Sequence, residues 1–163
     1  MRIRRAFTLI EVLIVLLIAA VMAGLAAELF GGSRHELVDA GVGLLEADLG
    51  YARSLAIASP ADPVMIRVAA DGSGYHLAKA SAPDTVLTGP NGPLRVRFGQ
   101  GRAEVAAGVT LTSSGTRDLR FGPFGGVMDP VPTLTVSLPD GSERAVMVLD
   151  PFTGDPTVTY QSQ

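Results

Sequence analysis

A long apolar run near the amino terminus constrains the fold of this 163-residue chain more than any other feature. Residues 12–27 form 16 consecutive positions without a polar side chain. As a helix, residues 7–30 would be about 36 Å long, which is enough to cross the roughly 30 Å hydrocarbon core of a bilayer. We therefore expect a membrane-spanning helix over residues 7–30.

An acidic residue, Glu11, lies at the beginning of this run, and three arginines precede it at positions 2, 4 and 5. Three interpretations are open: a cleaved secretory signal peptide, a plain membrane anchor, or an anchor processed near its amino end. A carboxylate costs about 2.5–3.5 kcal/mol at mid-depth of a bilayer and less near a helix end, and the first two interpretations gain nothing from it. The next cationic side chain after Glu11 is Arg34. We therefore expect a charge partner from another molecule, or from an amino terminus created by cleavage just upstream.

The segment RRAFTLIEVLIVLLIAAVMAG, residues 4–24, resembles the amino-terminal signature of type IV prepilins and type II secretion pseudopilins. The resemblance implies that a dedicated inner-membrane peptidase removes a leader of residues 1–6 by cutting between Ala6 and Phe7. The same enzyme would methylate the new amine of Phe7, and Glu11 would become the fifth residue of the mature chain. The family usually has glycine where this chain has Ala6, so we expect slower but permitted cleavage.

The resemblance also implies a role for Glu11 in filament assembly. After cleavage, Glu11 lies one helical turn from the cationic amine of Phe7. In an assembled filament, its carboxylate would pair with the terminal amine of a neighbouring subunit. Because an uncompensated charge in an apolar bundle is costly, this pair would fix the axial position at which a subunit enters.

Residues 31–59 are predicted to be an amphipathic continuation of the first helix. We expect one long helix with a bend at Gly31-Gly32-Ser33, and the amphipathic pattern runs from about residue 34 to residue 59, before Pro60. The predicted apolar stripe consists of Leu37, Leu44, Leu45, Tyr51, Ala52 and Leu55. The polar residues opposite it are His35, Asp39, Glu46 and Arg53. Asp48 falls within the apolar stripe, and the sequence offers no explanation for it.

The remainder, residues 60–163, is predicted to be an antiparallel β head domain in the periplasm. Strands are expected at residues 64–69, 75–80, 94–98, 105–112, 119–121, 133–138, 143–149 and 157–160. The Asp71-Gly72-Ser73-Gly74 and Pro139-Asp140-Gly141-Ser142 segments predict hairpin turns. The fold class is α+β: a long amino-terminal helix, membrane-spanning in its first half, packed on an antiparallel sheet or small sandwich, as in type IV pilins.

Two later segments resemble the minor pseudopilin H and FimT-like group: residues 45–58, LEADLGYARSLAIA, and residues 119–154 with their Gly-rich loop and hairpin. This resemblance implies a minor subunit of a type II secretion pseudopilus. Its partners would be other pseudopilins, the prepilin peptidase and methyltransferase, and the inner-membrane assembly platform. The expected location is the bacterial inner membrane, single-pass, with a periplasmic head that can enter the pseudopilus. The alternative is a minor type IV pilin in pilus assembly or DNA uptake.

The charge distribution argues against nucleic acid as a partner. Without residues 1–6 the chain keeps 10 basic and 16 acidic side chains, a net charge of −6. Nucleic-acid affinity depends largely on Lys and Arg displacing counterions from phosphate. Arg95, Arg97 and Arg102 form the one local basic group in the sequence, for which a solvated strand face is the favoured interpretation.

The sequence also predicts no catalysis, cofactor or metal. His35 and His76 are isolated, and Ser113 and Ser114 lack the Gly-x-Ser-x-Gly pattern of a hydrolase nucleophile. Asp150 and Asp155 flank a glycine, but their spacing differs from that of an EF-hand calcium loop. The GPFGG segment lacks the Lys-Ser/Thr ending of a phosphate-binding loop, and the absence of cysteine rules out disulfides.

Overall fold

The computed structural model describes residues 9–30 and 34–162, with the side chains of residues 9–22 and 34–162. It divides into two compact units, Met1–Ser33 and Arg34–Gln163, which we call the amino-terminal unit and the head unit. Residues 31–33, where a bend was predicted, lie outside the described residues.

The amino-terminal unit contains one helix, α1, Leu9–Phe30. Its large apolar side chains between Leu9 and Met22 are all exposed, by 48% to 86% of their surface. A helix that is apolar on every side requires an apolar environment around it. None of the helices in the described part of the chain is long and apolar enough to cross a bilayer, so the span over residues 7–30 stays a prediction.

The head unit begins with helix α2, Arg34–Ala58, one residue shorter than predicted. The end is set by Pro60, since the residue before a proline is disfavoured in the helical conformation. The buried face of α2 differs from the predicted stripe, because Tyr51 is 38% exposed and Leu37, Leu44 and Leu55 are only half-buried. The residues that are buried are Val38, Gly41, Val42, Leu45, Asp48, Leu49, Ala52 and Ala56.

Small residues explain this shift of the buried face. A Cβ added at Gly41 would lie 3.2 Å from Cγ1 of Val136 and 3.3 Å from Cγ1 of Val109, so the helix and the strands approach closely here. The sequence prediction gave weight to the largest side chains, whereas the contact favours small residues between them.

The described residues of the head unit form eleven strands: β1 Val64–Val68, β2 Gly74–Lys79, β3 Ala82–Val86, β4 Thr88–Gly89, β5 Gly92–Pro93, β6 Arg95–Arg97, β7 Thr110–Ser113, β8 Asp118–Arg120, β9 Leu134–Ser137, β10 Glu143–Leu149 and β11 Pro156–Ser162. The first sheet has the order β3-β2-β1-β8, with β6 pairing to the first half of β2. The second sheet has the order β11-β10-β9-β7, and β4 pairs with β5. All pairs are antiparallel, and both predicted hairpins are confirmed by the β1–β2 and β9–β10 registers.

Two parts of the strand prediction need correction. Residues 105–112 were predicted as one strand, but a 3₁₀ helix occupies Gly101–Ala106 and β7 begins only at Thr110. This 3₁₀ segment is kinked at Ala103, whose φ is −106° and ψ 20°, and the side chains of Ala103 and Ala106 are both buried. The strands β3, β4 and β5 were not predicted. β3 contains Pro83 and lies at a sheet edge, where a missing amide proton is tolerated.

The core of the head unit lies where α2 contacts both sheets. Its large, fully buried side chains come from the helix, from strands of each sheet and, for Phe121, from the residue after β8: Leu45, Leu49, Ile66, Tyr75, Leu77, Leu111, Leu119, Phe121, Leu134, Met147 and Leu149. The head is therefore an α+β unit in which one helix packs on antiparallel sheets, as the sequence predicted.

Candidate functional site

Glu11 lies in the first turn of α1, between the exposed side chains of Ile10 and Val12. A negative charge at this end of a helix interacts favourably with the helix dipole. The carboxylate is thus carried in the first turn of a helix whose adjacent residues in the sequence are apolar. Ala6 and Phe7, the predicted cleavage and methylation positions, lie outside the described residues, so the structure tests neither.

In the head, the unexplained Asp48 is the buried centre of a polar network whose arginine, Arg102, is partly exposed. Its carboxylate accepts hydrogen bonds from Nη1 and Nη2 of Arg102, at 2.9 and 2.5 Å, and from the Tyr75 hydroxyl at 2.8 Å. Burial raises the pKa of Tyr75, and the Asp48 carboxylate raises it further, so Tyr75 remains a hydrogen-bond donor. The network is fully paired and gives Asp48 a structural role.

A second network crosses the outer face of the first sheet. Register pairs Arg95 with His76, His76 with Arg67, and Arg67 with Asp118, across four neighbouring strands. Arg67 donates to both carboxylate oxygens of Asp118, at 2.7 and 2.8 Å, and to Asp84 at 2.6 Å. The hydrogen bond from Arg67 lowers the pKa of Asp118 below its ordinary value.

The basic group predicted from Arg95, Arg97 and Arg102 does not form as one cluster. Arg102 is committed to Asp48, whereas Arg95 and Arg97 are exposed on β6. These two line a cleft of about 330 Å³ together with Arg67, Arg117, Asp71 and Asp84. Since acidic residues stand among the arginines, this face is a mixed-charge surface.

The comparisons with known proteins bear on the amino terminus. Residues 1–27 match the family model described as the prokaryotic N-terminal methylation motif. The match is confined to the amino-terminal segment of the chain. The match supports a type IV pilin-like protein and implies processing by a prepilin peptidase and assembly with other pilins. No curated protein and no solved structure gives a significant match.

The two histidines have separate local contacts. Nδ1 of His35 lies 3.7 Å from a carboxylate oxygen of Glu143, and its ring packs against Tyr160. Nε2 of His76 lies 3.1 Å from the Pro83 carbonyl oxygen. Within the residues that the structure describes, no group of three or more metal-ligating side chains is arranged to hold an ion.

The serines and the paired aspartates are used in turns. Ser113 donates to the Thr116 carbonyl, and Ser114 accepts from the Thr133 amide at 2.9 Å. Asp150 accepts from the backbone amides of Phe152 and Thr153, both at 2.8 Å. These two amides lower the pKa of Asp150, and a hydrogen bond with Thr153, followed by one from Arg53, lowers the pKa of Asp155.

Sequence reasoning missed two features of the head. Asp48 stood out as a polar residue in an apolar stripe, yet its partner Arg102 is 54 positions away and was assigned to the basic group. The exposed rings of Phe124 and Phe152 were not singled out. The signal that could have found them is the shared pattern x-Pro-Phe-x-Gly in GPFGG and DPFTG.

Proposed function

We propose that this protein is a minor pseudopilin of a type II secretion system. It would be a structural subunit of the periplasmic pseudopilus, which helps to export proteins across the outer membrane. The observation that carries the proposal is the methylation motif over residues 1–27, with Glu11 in the first turn of an apolar helix. The subgroup rests on the resemblance of residues 45–58 and 119–154 to the pseudopilin H and FimT-like group.

In this proposal, the prepilin peptidase cuts between Ala6 and Phe7 and methylates the Phe7 amine. The apolar helix anchors the chain in the bacterial inner membrane, with the head in the periplasm. The assembly platform then inserts the subunit into the pseudopilus, where Glu11 pairs with the terminal amine of a neighbouring subunit. The exposed apolar sides of α1 support this, because lipid or neighbouring helices would cover them.

We propose that the head has a structural role, without catalysis or a cofactor. Among the described side chains, no buried polar atom lacks a hydrogen-bond partner. The conspicuous polar groups bond to one another, as Asp48 does to Arg102 and Arg67 does to Asp118. A head of this kind is suited to holding its shape in a filament.

Mass spectrometry of the protein extracted from membranes tests the processing step. The proposal expects a chain that begins with N-methyl-Phe7 in cells with an active leader peptidase, and an uncut chain in cells without it. The Ala6→Gly variant, with the residue usual in the family, should be processed at least as fast. A chain that begins at Met1, or near Ala27, in the peptidase-positive cells would contradict the proposal.

The second candidate, a minor type IV pilin in pilus assembly or DNA uptake, is favoured by the exposed arginines of the first sheet. Deletion of the gene distinguishes the two functions. A secretion subunit predicts loss of an exported protein from the medium, with transformation unchanged, whereas a competence pilin predicts the reverse. A low-salt gel-shift assay with the wild-type head and an Arg95→Ala/Arg97→Ala variant adds a direct test of DNA binding.

A further inference from the structure

Two loops of the head unit share one sequence pattern and interlock. They are residues 122–126, GPFGG, and residues 150–154, DPFTG. The Val127 amide donates to the Pro151 carbonyl at 2.9 Å, and a Cβ added at Gly154 would lie 2.5 Å from the Gly125 carbonyl oxygen. The loops are therefore in direct contact through their backbones.

Each loop exposes a phenylalanine, and we call Phe124 and Phe152 together the aromatic tip. Their side chains are 93% and 87% exposed. Side-chain contacts hold the loop of residues 150–154 in place. The Asp150 carboxylate accepts a hydrogen bond from the Phe152 amide, and Arg53 of α2 forms an ion pair with Asp155 at 2.7 Å. Two large aromatic side chains held in water on fixed loops mark a contact surface, since burying each ring would remove 150–250 Å² of mainly apolar area from water.

An apolar groove lies elsewhere on the same unit, next to α2 and the β4–β5 hairpin. Its volume is about 240 Å³. Tyr51 and Leu55 of α2 line one wall together with Ser59, which directly follows the helix, and Leu87 and Leu94 also line the groove. An apolar cavity of about 150 Å³ is sufficient to bind a benzene molecule. The groove can therefore accommodate a phenylalanine ring.

The aromatic tip and the groove lie on opposite flanks of the head. Arg53 and Ile57 face the tip loops, since a Cβ added at Gly125 would lie 2.8 Å from Nε of Arg53 and 3.1 Å from Cδ1 of Ile57. Tyr51, Leu55 and Ser59 face the groove. With about 100° of rotation per helical residue, these two sets are centred about 180° apart around α2.

We propose that the aromatic tip of one head inserts into the groove of a second copy of this chain. A protrusion and a matching depression on opposite flanks make a heterologous contact, which repeats along a row of subunits unless the rotation closes a ring. The proposal extends the proposed function, which places the subunit contact at Glu11, by adding a contact between heads. It rests on the described head unit alone and does not depend on processing at Phe7.

Cysteine cross-linking of the full chain in native membranes tests this contact, because the sequence has no cysteine of its own. Thr153→Cys places a thiol beside Phe152, and Thr88→Cys places one at the groove, where Thr88 is exposed. With a short bismaleimide, the double variant should give a ladder of dimers and higher multimers. Co-expression of the two single variants should give dimers only, and each single variant alone should give neither.

Three controls connect the cross-link to the aromatic tip. Phe124→Ser/Phe152→Ser in the double-cysteine background should lower the yield about tenfold, as expected for removing the anchor residues of an interface. Val105→Ser removes another side chain that is 68% exposed and should leave the yield unchanged. Ser59 also lines the groove, so Ser59→Cys should give the same cross-link as Thr88→Cys. Agreement between the two positions excludes an effect of local damage to β4.

Several outcomes would overturn the proposal. One is that no dimer forms with a cysteine at either groove position, Thr88 or Ser59. Another is that the cross-link yield is the same when Val105→Cys replaces Thr153→Cys. The third is that the yield is the same after Phe124 and Phe152 are both changed to serine. A product joining the Thr153→Cys chain to a different polypeptide would assign the aromatic tip to another subunit. If the ladder forms while the chain is found uncut at Met1, the proposed function fails and this contact stands.

Discussion

Asp48 and Arg102 form an ion pair with two hydrogen bonds, at 2.9 and 2.5 Å, although 54 positions separate them in the sequence. Asp48 is only 5% exposed, and the Tyr75 hydroxyl donates a third bond to it at 2.8 Å. The pair connects α2 to the 3₁₀ helix Gly101–Ala106, and Tyr75 connects both to β2. A carboxylate on the buried face of α2 is therefore a tertiary link between three elements.

Removal of this carboxylate should destabilise the head. Asp48→Ala removes the shorter of the two hydrogen bonds of the buried Tyr75 hydroxyl, which keeps the Leu44 carbonyl at 3.2 Å, and it also removes the partner of Arg102. We therefore expect the free energy of unfolding to fall by about 1–3 kcal/mol. Urea unfolding of a residue 34–163 fragment, followed by circular dichroism, measures the change. Arg95→Ala, which removes an exposed arginine outside the network, should have no measurable effect.

The Asp48→Ala/Arg102→Ala double variant separates the pair from its single members. Arg102→Ala also destabilises, because it leaves the Asp48 carboxylate buried with Tyr75 as its main partner. If the two side chains act as a pair, the double variant should lose clearly less stability than the sum of the single losses. Strictly additive losses would contradict the pairing.

Acid should weaken the head through Asp118. The hydrogen bond from Arg67 lowers the pKa of Asp118, so the folded state binds this proton less readily than the unfolded chain, whose pKa is about 3.9. The resulting stability is present above about pH 4 and is lost as the pH falls through the lowered pKa of the folded state. Thermal unfolding between pH 7 and pH 2 should show this loss.

Two asparagine variants identify the source of the pH dependence. Asp118→Asn should lower the melting temperature at pH 7 and flatten its decline below pH 4. Asp84→Asn removes the other carboxylate bonded to Arg67, but the Asp84 side chain is 92% exposed, so we expect little change. An equal effect of both variants would show that the partly buried pair has no special contribution.

Local signals made much of the fold predictable. Pro60 ends α2 near the expected residue, and Pro139-Asp140-Gly141-Ser142 forms the expected turn between β9 and β10. Glu11 was recognisable for the same reason, because the motif over residues 1–27 is contiguous in sequence. Each of these features depends on neighbouring residues and not on distant contacts.

Features that depend on distant contacts escaped prediction. Residues 105–112 alternate well enough for a strand, but Ala103 and Ala106 are buried in the 3₁₀ helix, and Arg102 of the same helix reaches Asp48. The aromatic tip was missed because Phe124 and Phe152 are 28 positions apart and come from different loops. Only the tertiary fold shows that the two loops meet.

Glu11 should be needed for assembly and not for membrane insertion. Glu11→Ala removes a charge from an apolar helix, so insertion should be unchanged or slightly better. Entry into filaments should be lost, because the terminal amine of the neighbouring subunit has no partner. Membrane fractionation and the amount of protein in sheared filaments measure the two steps separately.

The Glu11→Asp variant is the control for the charge. It keeps the carboxylate with a side chain one methylene shorter, and we expect partial recovery of filament entry. Normal incorporation of the Glu11→Ala protein would contradict a pairing role.

The close approach of the two tip loops should make Gly154 far less tolerant of a side chain than Gly141. Both residues have φ = +73°, so alanine meets the same backbone penalty of about 1–2 kcal/mol at either position. Beyond this, a Cβ at Gly154 lies 2.5 Å from the Gly125 carbonyl oxygen, whereas a Cβ at Gly141 has nothing within 4 Å. Gly154→Ala should therefore lower the free energy of unfolding in urea by at least about 1 kcal/mol more than Gly141→Ala, because the Gly125 loop must move.

The same movement displaces Phe124, so Gly154→Ala should also lower the yield of the cross-link between heads, while Gly141→Ala should leave that yield unchanged. Equal losses of stability at the two glycines would mean that the loops separate readily, and the aromatic tip would then have no fixed shape.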